Sequence, residues 1–237
     1  MRLLALPMLV LLAACSGERE TQAPEPVVAP PTQSTQPRTM IAADFVPTEL
    51  GGRIAGMEIS DVSVGNRETP FGHASAFVAC RSGIPTCDPA TLPADTRYTY
   101  VLTVTPAVPE VPQGAPSPSG SVPAPVPLVM PVAGTLATIA AVPGFDGAVG
   151  YSLAEAAAAL GAEDAIAVTL EQGRIFWRVR EGSRWVPGKP ITVWWRSARP
   201  PADTKAPAYE FSAGADNARL AAPFPAADKA VEPAPAR

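Results

Sequence analysis

The sequence predicts a mainly β protein with one short helix, built either as one antiparallel sandwich or as two small β lobes. Three observations lead to this prediction. Short runs of alternating apolar and polar residues recur on both sides of a proline-rich stretch at 106–131. Turns that contain glycine or proline separate these runs from one another. The start and stop signals of a helix flank a single stretch, at about 153–160.

The first β-rich lobe is expected at 45–105. Its clearest strand is 98–104, in which two tyrosines, a leucine and a valine alternate with threonines and a second valine. Two further runs, 54–64 and 74–80, have the spacing of strand faces. The lobe has about 60 residues, which is close to the lower limit for independent folding. A single sandwich that also includes the second lobe therefore remains an alternative.

Two cysteines in this lobe are expected to form a disulfide. Cys80 and Cys87 are separated by a loop that contains Gly83 and Pro85, which are turn residues and allow the chain to fold back. Their spacing differs from the Cys-x-x-Cys of redox pairs. A metal site would need more ligands than a chain with one histidine offers. A structural disulfide, typical of an oxidising compartment, is the preferred interpretation.

The residues that lead into the clearest strand resemble a known domain family. The run Leu-Pro-Ala-Asp-Thr-Arg-Tyr at 92–98, followed by alternation to Val104, resembles the entry to strand F of fibronectin type III domains. In that family the hydroxyl of a tyrosine at this point pins a corner of the sandwich. The resemblance covers residues 92–104 and implies an immunoglobulin-like sandwich.

The second lobe is expected at 132–220, after a linker or surface strap at 106–131. The chain has 30 prolines in 237 residues, and few packed elements tolerate the density found in that strap. Within the lobe, Ser152 and Glu155 form the pattern of a capping box, and Gly161 ends the helix. Residues 221–237 return to alanine, proline and charge, and are expected to be a disordered tail.

Three strands follow the helix and are expected to form an antiparallel meander. They are predicted at 165–170, 175–179 and 191–195, with a hairpin turn at 171–174 between the first two. If the second and third strands pair, one outward surface collects arginines and aromatic rings. That candidate binding face consists of Arg174, Phe176, Arg178, Arg180, Trp194 and Arg196.

The candidate binding face has two interpretations. A cationic, aromatic surface suits an anionic glycan, a phosphate or the acidic surface of a partner protein. Arginines also commonly lie over aromatic rings on the solvated side of a sheet, where they stabilise the fold and guard the edges. The second interpretation needs no ligand.

The first 16 residues resemble the signal of a bacterial lipoprotein. An apolar run from Leu3 to Ala14 ends in Leu-Ala-Ala-Cys at 12–15, which matches a lipobox. The resemblance implies that the signal peptide 1–14 is cleaved and that Cys15 receives a diacylglyceryl thioether and an acylated, palmitate-type amino group. The residues at 15–44 would then be a lipidated, disordered tether. Ser16 implies sorting to the outer membrane, with the body on its periplasmic face.

Signals for catalysis are sparse. His73, the one histidine, could act as a base beside Ser75, but no third residue orients it. Nucleophile-elbow, zinc-protease and phosphate-loop motifs are absent. The carboxylate pairs Glu58/Asp61 and Glu163/Asp164 resemble ordinary solvated charge.

The sequence therefore predicts a non-catalytic structural or binding component of the cell envelope, without metal or cofactor. It would be held to the membrane through Cys15 and would contact an envelope protein or an anionic glycan. A net charge of −4 argues against nucleic acid. The alternative is a periplasmic hydrolase whose carboxylates come from distant positions and form no motif.

Overall fold

The computed structural model describes residues 36–65, 70–108, 134–213 and 216–227. All of them belong to one compact unit, Ser34–Arg237. The predicted signal peptide 1–14, the predicted lipidation site Cys15 and the residues up to 35 lie outside the described residues. So do residues 109–133, which include most of the proline-rich stretch, and residues 228–237 of the expected tail.

The described chain is mainly β with one short helix, as the sequence predicts. Helix α1 is Leu153–Leu160. In chain order the strands are β1 (Arg38–Thr39), β2 (Ala43–Asp44), β3 (Leu50–Arg53), β4 (Ile59–Gly65), β5 (Pro70–Arg81), β6 (Tyr98–Pro106), β7 (Gly134–Thr138), β8 (Phe145–Tyr151), β9 (Ile166–Glu171), β10 (Arg174–Val179), β11 (Ile191–Ser197), β12 (Ala206–Ala213) and β13 (Asp216–Ala222).

The strands form two sheets. The six-stranded sheet has the order β1-β9-β10-β7-β12-β13, and the seven-stranded sheet has the order β2-β8-β11-β6-β5-β3, with β4 also paired to β5. All pairs are antiparallel except β2 with β8. The seven-stranded sheet takes strands from both sides of residues 106–131. The two segments are therefore parts of one folded body.

The predicted meander is wrong at its third strand. The hairpin of β9 and β10 forms at Gln172 and Gly173, both of which have positive φ. Strand β11, however, pairs with β6 and β8 in the other sheet. Residues 180–190 are long enough to cross between the sheets. Alternation along β11 specifies an inner and an outer face but does not specify the neighbouring strand, so the local pattern could not identify it.

The two sheets pack face to face around a shared aromatic core. The indole N–H of Trp177, on β10, donates to the backbone oxygen of Gly150 in the other sheet, at 3.1 Å. The indole N–H of Trp195, on β11, donates to the hydroxyl of Tyr209 at 3.2 Å. The ring of Tyr100 stacks on Trp195 with centroids 4.2 Å apart. Burial raises the pKa of Tyr209 well above its ordinary value, so this hydroxyl stays neutral and bonds across the core.

Helix α1 has the predicted bounds and one half of the predicted capping box. The hydroxyl of Ser152 accepts from the backbone N–H of Glu155 at 3.2 Å, and Gly161 ends the helix at φ 88°. The carboxylate of Glu155 instead accepts the backbone N–H of Thr192 at 2.5 Å. The helix is therefore fastened to the start of β11 by a side chain.

The N-terminal part of the body crosses from one sheet to the other. Strand β1 pairs with β9, and β2 pairs in parallel with β8. Asp44 accepts the N–H of Leu153 at the start of α1, at 2.9 Å. A Cβ on Gly150 would lie 1.8 Å from the backbone oxygen of Ala43, so this close approach requires glycine. The first strand among the described residues thus begins at Arg38, inside the stretch 15–44 that the sequence assigns to a tether.

The C-terminal part of the body extends past Leu220, where the sequence places the end of the second lobe. Strand β13 continues to Ala222, which is fully buried. The ring of Phe224 then packs against Trp195 with centroids 5.8 Å apart. An aromatic residue that covers the core accounts for this extension, because it removes apolar surface from water.

The predicted disulfide between Cys80 and Cys87 is confirmed, with Cα atoms 5.6 Å apart. Strand β3 runs directly along the loop that it closes. The N–H of Gly52 donates to the backbone oxygen of Ile84 at 2.7 Å. A Cβ at position 52 would lie 2.2 Å from the backbone oxygen of Pro85. The disulfide loop and β3 therefore form one closely packed edge of the seven-stranded sheet.

Candidate functional site

The structure divides the predicted binding face between two surfaces. Arg174, Phe176 and Arg178 lie on the outer face of the six-stranded sheet, because Ile175 and Trp177 between them are buried in the core. Trp194 and Arg196 lie on the outer face of the seven-stranded sheet. Since both inner faces meet in the core, these two outer faces are on opposite sides of the sandwich. The six residues do not form one site.

On the six-stranded sheet, two arginines stack on one ring. The guanidinium carbons of Arg174 and Arg178 lie 4.9 Å and 4.4 Å from the ring centroid of Phe176. Arg174 also donates to the backbone oxygen of Thr138 at 2.7 Å. Arg178 donates to the hydroxyl of Thr169 and forms an ion pair with Glu171 at 2.8 Å. These arginines have intramolecular partners, as the interpretation without a ligand requires.

The carboxylate of Glu171 completes this arrangement. The pKa of Glu171 lies below its ordinary value, chiefly because Arg178 donates to its charged form. Partial burial acts in the opposite direction, and the hydroxyl of Thr169 adds to the lowering. Arg180, at the end of the strand, forms an exposed ion pair with Asp164 at 2.7 Å. Arg178 and Arg180 thus each have a carboxylate partner, and Arg174 bonds to a backbone oxygen.

The outer face of the seven-stranded sheet carries an aromatic row that consists of Phe77, Val101 and Trp194. The register places Phe77 opposite Val101 on β6, and Val101 opposite Trp194 on β11. Val101 is 2% exposed although it points away from the core. The guanidinium of Arg53 lies 3.9 Å from the ring centroid of Phe77. The row is an apolar strip across three neighbouring strands.

Beside the aromatic row lies an arginine cluster, which consists of Arg53, Arg81, Arg97 and Arg196. The register places Arg53 opposite Ala79, Ala79 opposite Thr99, and Thr99 opposite Arg196. Arg81 and Arg97 are two residues further along on the same face. Ala79 and Thr99 are 0% and 8% exposed despite their outward position.

The arginine cluster has more positive charge than its partners neutralise. Arg196 and Arg97 share the carboxylate of Asp146, at 2.6 Å and 3.7 Å. Glu58 lies 3.5 Å from Arg53. The guanidinium of Arg81 has no hydrogen bond or ion pair within the residues that the structure describes. The four guanidinium groups therefore form ion pairs with two carboxylates within the described residues, in a chain whose net charge is −4.

On the other side of the aromatic row, the same face carries a hydroxyl row that consists of Ser75, Thr103 and Thr192. These three residues are opposite one another on β5, β6 and β11. The hydroxyl oxygens of Thr103 and Thr192 are 2.9 Å apart. The seven-stranded sheet thus presents three parallel rows of different chemistry: hydroxyl, aromatic and cationic.

Trp194 has an unusual position in the aromatic row. Its indole nitrogen is buried and has no hydrogen-bond partner, which is true of no other buried side-chain nitrogen or oxygen in the described residues. Leaving such a donor unpaired typically costs about 1–3 kcal/mol. The free protein therefore holds this indole in a position that its own neighbours do not satisfy.

The residues weighed for catalysis do not gather in a cleft. The Nδ1 atom of His73 lies 3.2 Å from a carboxylate oxygen of Asp61, and both side chains are at least half exposed. Ser75 lies on the same open sheet face. Within the described residues, no three histidine, cysteine or acidic side chains are grouped as a metal site would require. The described helix is not long and apolar enough to cross a membrane.

A small apolar cavity of about 30 Å³ lies between the sheets. Trp177, Trp185 and Phe211 line it together with aliphatic side chains and a few backbone and hydroxyl atoms at one end of the sandwich. The side chains around it include no histidine, carboxylate or amine. Its lining therefore offers no acid or base for catalysis.

Sequence reasoning identified Trp194 and Arg196 on the seven-stranded face and missed the other residues of the aromatic row and the arginine cluster. Phe77 and Arg81 share one parity along β5, and that alternation was visible in the sequence. Arg53 and Arg97 flank predicted strands without marking a face. Joining these residues to Trp194 requires the pairing of β5, β6 and β11, which spans distant parts of the chain.

Comparisons of the chain with protein-family models, with curated proteins and with solved structures found no match.

Proposed function

We propose that the protein is a lipid-anchored, non-catalytic component of the cell envelope, held on the periplasmic face of the outer membrane. We further propose that the outer face of its seven-stranded sheet binds an envelope partner. One observation carries the binding proposal: the aromatic row lies beside four arginines that have two carboxylate partners. Such a surface is suited to hold a ligand of opposite charge.

Two features support export and anchoring. The disulfide Cys80–Cys87 is of a kind that persists in oxidising compartments. The lipobox pattern at 12–15 would give Cys15 several acyl chains, and each buried CH₂ contributes about 0.8 kcal/mol to membrane binding. Arg38, the first residue of β1, follows Cys15 by 23 positions. At ~3.5 Å per residue, that length could hold the body up to about 80 Å from the membrane.

The anchor is tested with Cys15→Ala in the full chain. We expect the variant to leave the membrane fraction, because it lacks the acylated sulfur, while the wild-type chain stays with the membrane until detergent is added. Fractionation of envelopes, followed by immunoblotting, measures this distribution. A variant that remains fully bound to the membrane would contradict the anchor.

The binding face is tested by affinity capture from detergent-solubilised envelopes. The double variant Arg81→Glu with Trp194→Ala should lose the partners that the wild-type chain retains. The matched control is Arg219→Glu with Phe176→Ala, which makes the same kinds of change on the six-stranded face and should retain them. Thermal unfolding of each variant checks that the body stays folded. Unchanged capture by the first variant would remove this face from the proposal.

A further inference from the structure

We infer that the outer face of the seven-stranded sheet binds an acidic glycan. A sugar ring would lie on the aromatic row, and its carboxylate or phosphate substituent would bind to the arginine cluster. This inference rests on the proposed function, because it names the ligand of the same face. The acidic sugar and its substituent are identified by the chemistry of the three rows.

The charge of the ligand follows from the arginine cluster. The guanidinium of Arg81 has no partner within the described residues, and Arg97 and Arg196 share the one carboxylate of Asp146. A carboxylate or phosphate accepts paired hydrogen bonds from guanidinium groups, which are stronger than bonds between neutral groups. An incoming anion would complete the pairing that Asp146 provides only in part.

The shape of the ligand follows from the spacing of the rows. Successive side chains on one face of a strand are about 7 Å apart. On β11, Thr192, Trp194 and Arg196 occupy three such positions in succession. A pyranose ring that stacks on the indole of Trp194 would reach Arg196 with a charged substituent. Thr192, on the other side, is 4% exposed and its hydroxyl is paired with that of Thr103, so Ser75 and Thr103 present the hydroxyls of this row. The order of the rows therefore matches the apolar face and the polar edges of an acidic sugar.

The hydroxyl row and the aromatic row favour a glycan over an acidic peptide. An acidic peptide would use the arginine cluster but has no flat ring edged by hydroxyls to match Ser75, Thr103 and Thr192. The buried indole nitrogen of Trp194 lacks an acceptor. A small rotation of the ring against a sugar would give that nitrogen an oxygen to bond to, which would recover part of the cost of leaving it unpaired.

The test is a calorimetric titration of the full chain in detergent with tetragalacturonate as the acidic probe and with a neutral tetrasaccharide of galactose. We expect the acidic probe to bind at least tenfold more tightly. Arg81→Gln should weaken its binding at least threefold, and Trp194→Leu should weaken both acidic and residual neutral binding. The control pair Arg219→Gln and Phe176→Leu should leave the affinities unchanged.

A second measurement follows the indole N–H signals by nuclear magnetic resonance. The signal of Trp194 should shift with the acidic tetrasaccharide, and that of the core residue Trp195 should not. Arg81 is exposed and unpaired in the described structure, so its variant tests binding without disturbing the core.

Three outcomes would overturn the inference. If a tetraglutamate peptide binds as tightly as tetragalacturonate, the face binds an acidic protein. If inorganic phosphate binds as tightly as tetragalacturonate, the site is a simple anion site. If the acidic tetrasaccharide does not bind but envelope capture still depends on Arg81 and Trp194, the inference of a glycan ligand is wrong and the proposed binding face stands. Capture that does not depend on these residues would instead overturn the proposed binding face.

Discussion

Individual side chains join elements that are distant in the chain. Glu155 on α1 accepts the N–H of Thr192 on β11, and Asp44 on β2 accepts the N–H of Leu153 on α1. Each carboxylate satisfies a backbone donor that has no partner in its own helix or ladder. Because buried donors without partners are costly, these side chains fix the position of α1 against the sheet.

Replacing Glu155 tests this role. Glu155→Ala should lower the free energy of unfolding by about 1–3 kcal/mol, because the buried N–H of Thr192 loses its acceptor. Glu155→Gln should cost less, since its amide oxygen can still accept. Urea unfolding measures both changes. The control is Glu163→Ala, an exposed acidic residue just past the helix, for which a change within about 0.5 kcal/mol is expected. Equal effects at both positions would exclude the proposed role.

The lowered pKa of Glu171 predicts how stability depends on pH. A carboxyl with a lowered folded pKa stabilises the fold above its ordinary value of 4.5, and this contribution is lost as the pH falls through the lowered pKa. The wild-type chain should therefore unfold at a higher temperature than Glu171→Gln near neutral pH, by an amount worth about 0.5–1 kcal/mol. The difference should shrink as the pH falls below 4.5 and vanish once the carboxyl is protonated in the folded protein. Thermal scans of both proteins across this range measure it, and a constant difference would contradict the assignment.

At the scale of elements, the edge of the seven-stranded sheet depends on the disulfide loop. Strand β3 has four residues, and its main support besides β5 is the loop between Cys80 and Cys87. The glycines of β3 allow its backbone to approach that loop closely. Arg53, at the end of β3, covers Phe77 in the aromatic row. Loosening the loop should therefore disturb the candidate site as well as the edge.

Removal of the disulfide tests this dependence. The variant Cys80→Ser with Cys87→Ser should lose about 2–3 kcal/mol of unfolding free energy, since a short closed loop limits the unfolded chain. Hydrogen exchange should increase first in β3 and in the loop. The single variant Cys15→Ala keeps Cys80 and Cys87 and, when denatured without reductant, should show no free thiol. Two titratable thiols per chain would contradict the bridge.

At the scale of the whole molecule, strands from both sides of residues 109–133 share one sheet. Strand β6 pairs with β11 over seven residue pairs, and the core between the sheets contains residues from both segments. Neither segment has a complete sheet without the other. The body is therefore expected to unfold as one cooperative unit.

A cut between the two segments tests this cooperativity. A specific protease site placed within 109–133 should allow cleavage into two fragments that stay together under native conditions and separate in denaturant. The cut protein should unfold in a single transition, because β6 and β11 hold the fragments in one sheet. Native gel filtration and calorimetry measure both properties. Fragments that separate and remain folded would show two independent lobes.

Local signals in the sequence determined the elements whose causes are local. The capping serine and terminal glycine set the bounds of α1, the turn residues set the β9–β10 hairpin, and cysteine spacing set the disulfide. Strands β7, β8, β12 and β13 have weak alternation and went unrecognised, because their stability comes from neighbours in the sheet.

The sequence by itself determined that β11 has one buried and one outward side, and that its outward side carries Trp194 and Arg196. Only the tertiary structure decided which strands lie beside it. Side-chain alternation has a period of two residues along a strand and contains no information about the partner strand, which is chosen by burial of the whole core. For that reason Arg178 and Trp194 are on opposite sides of the sandwich, and Phe77 and Arg81 join Trp194 from more than one hundred residues away.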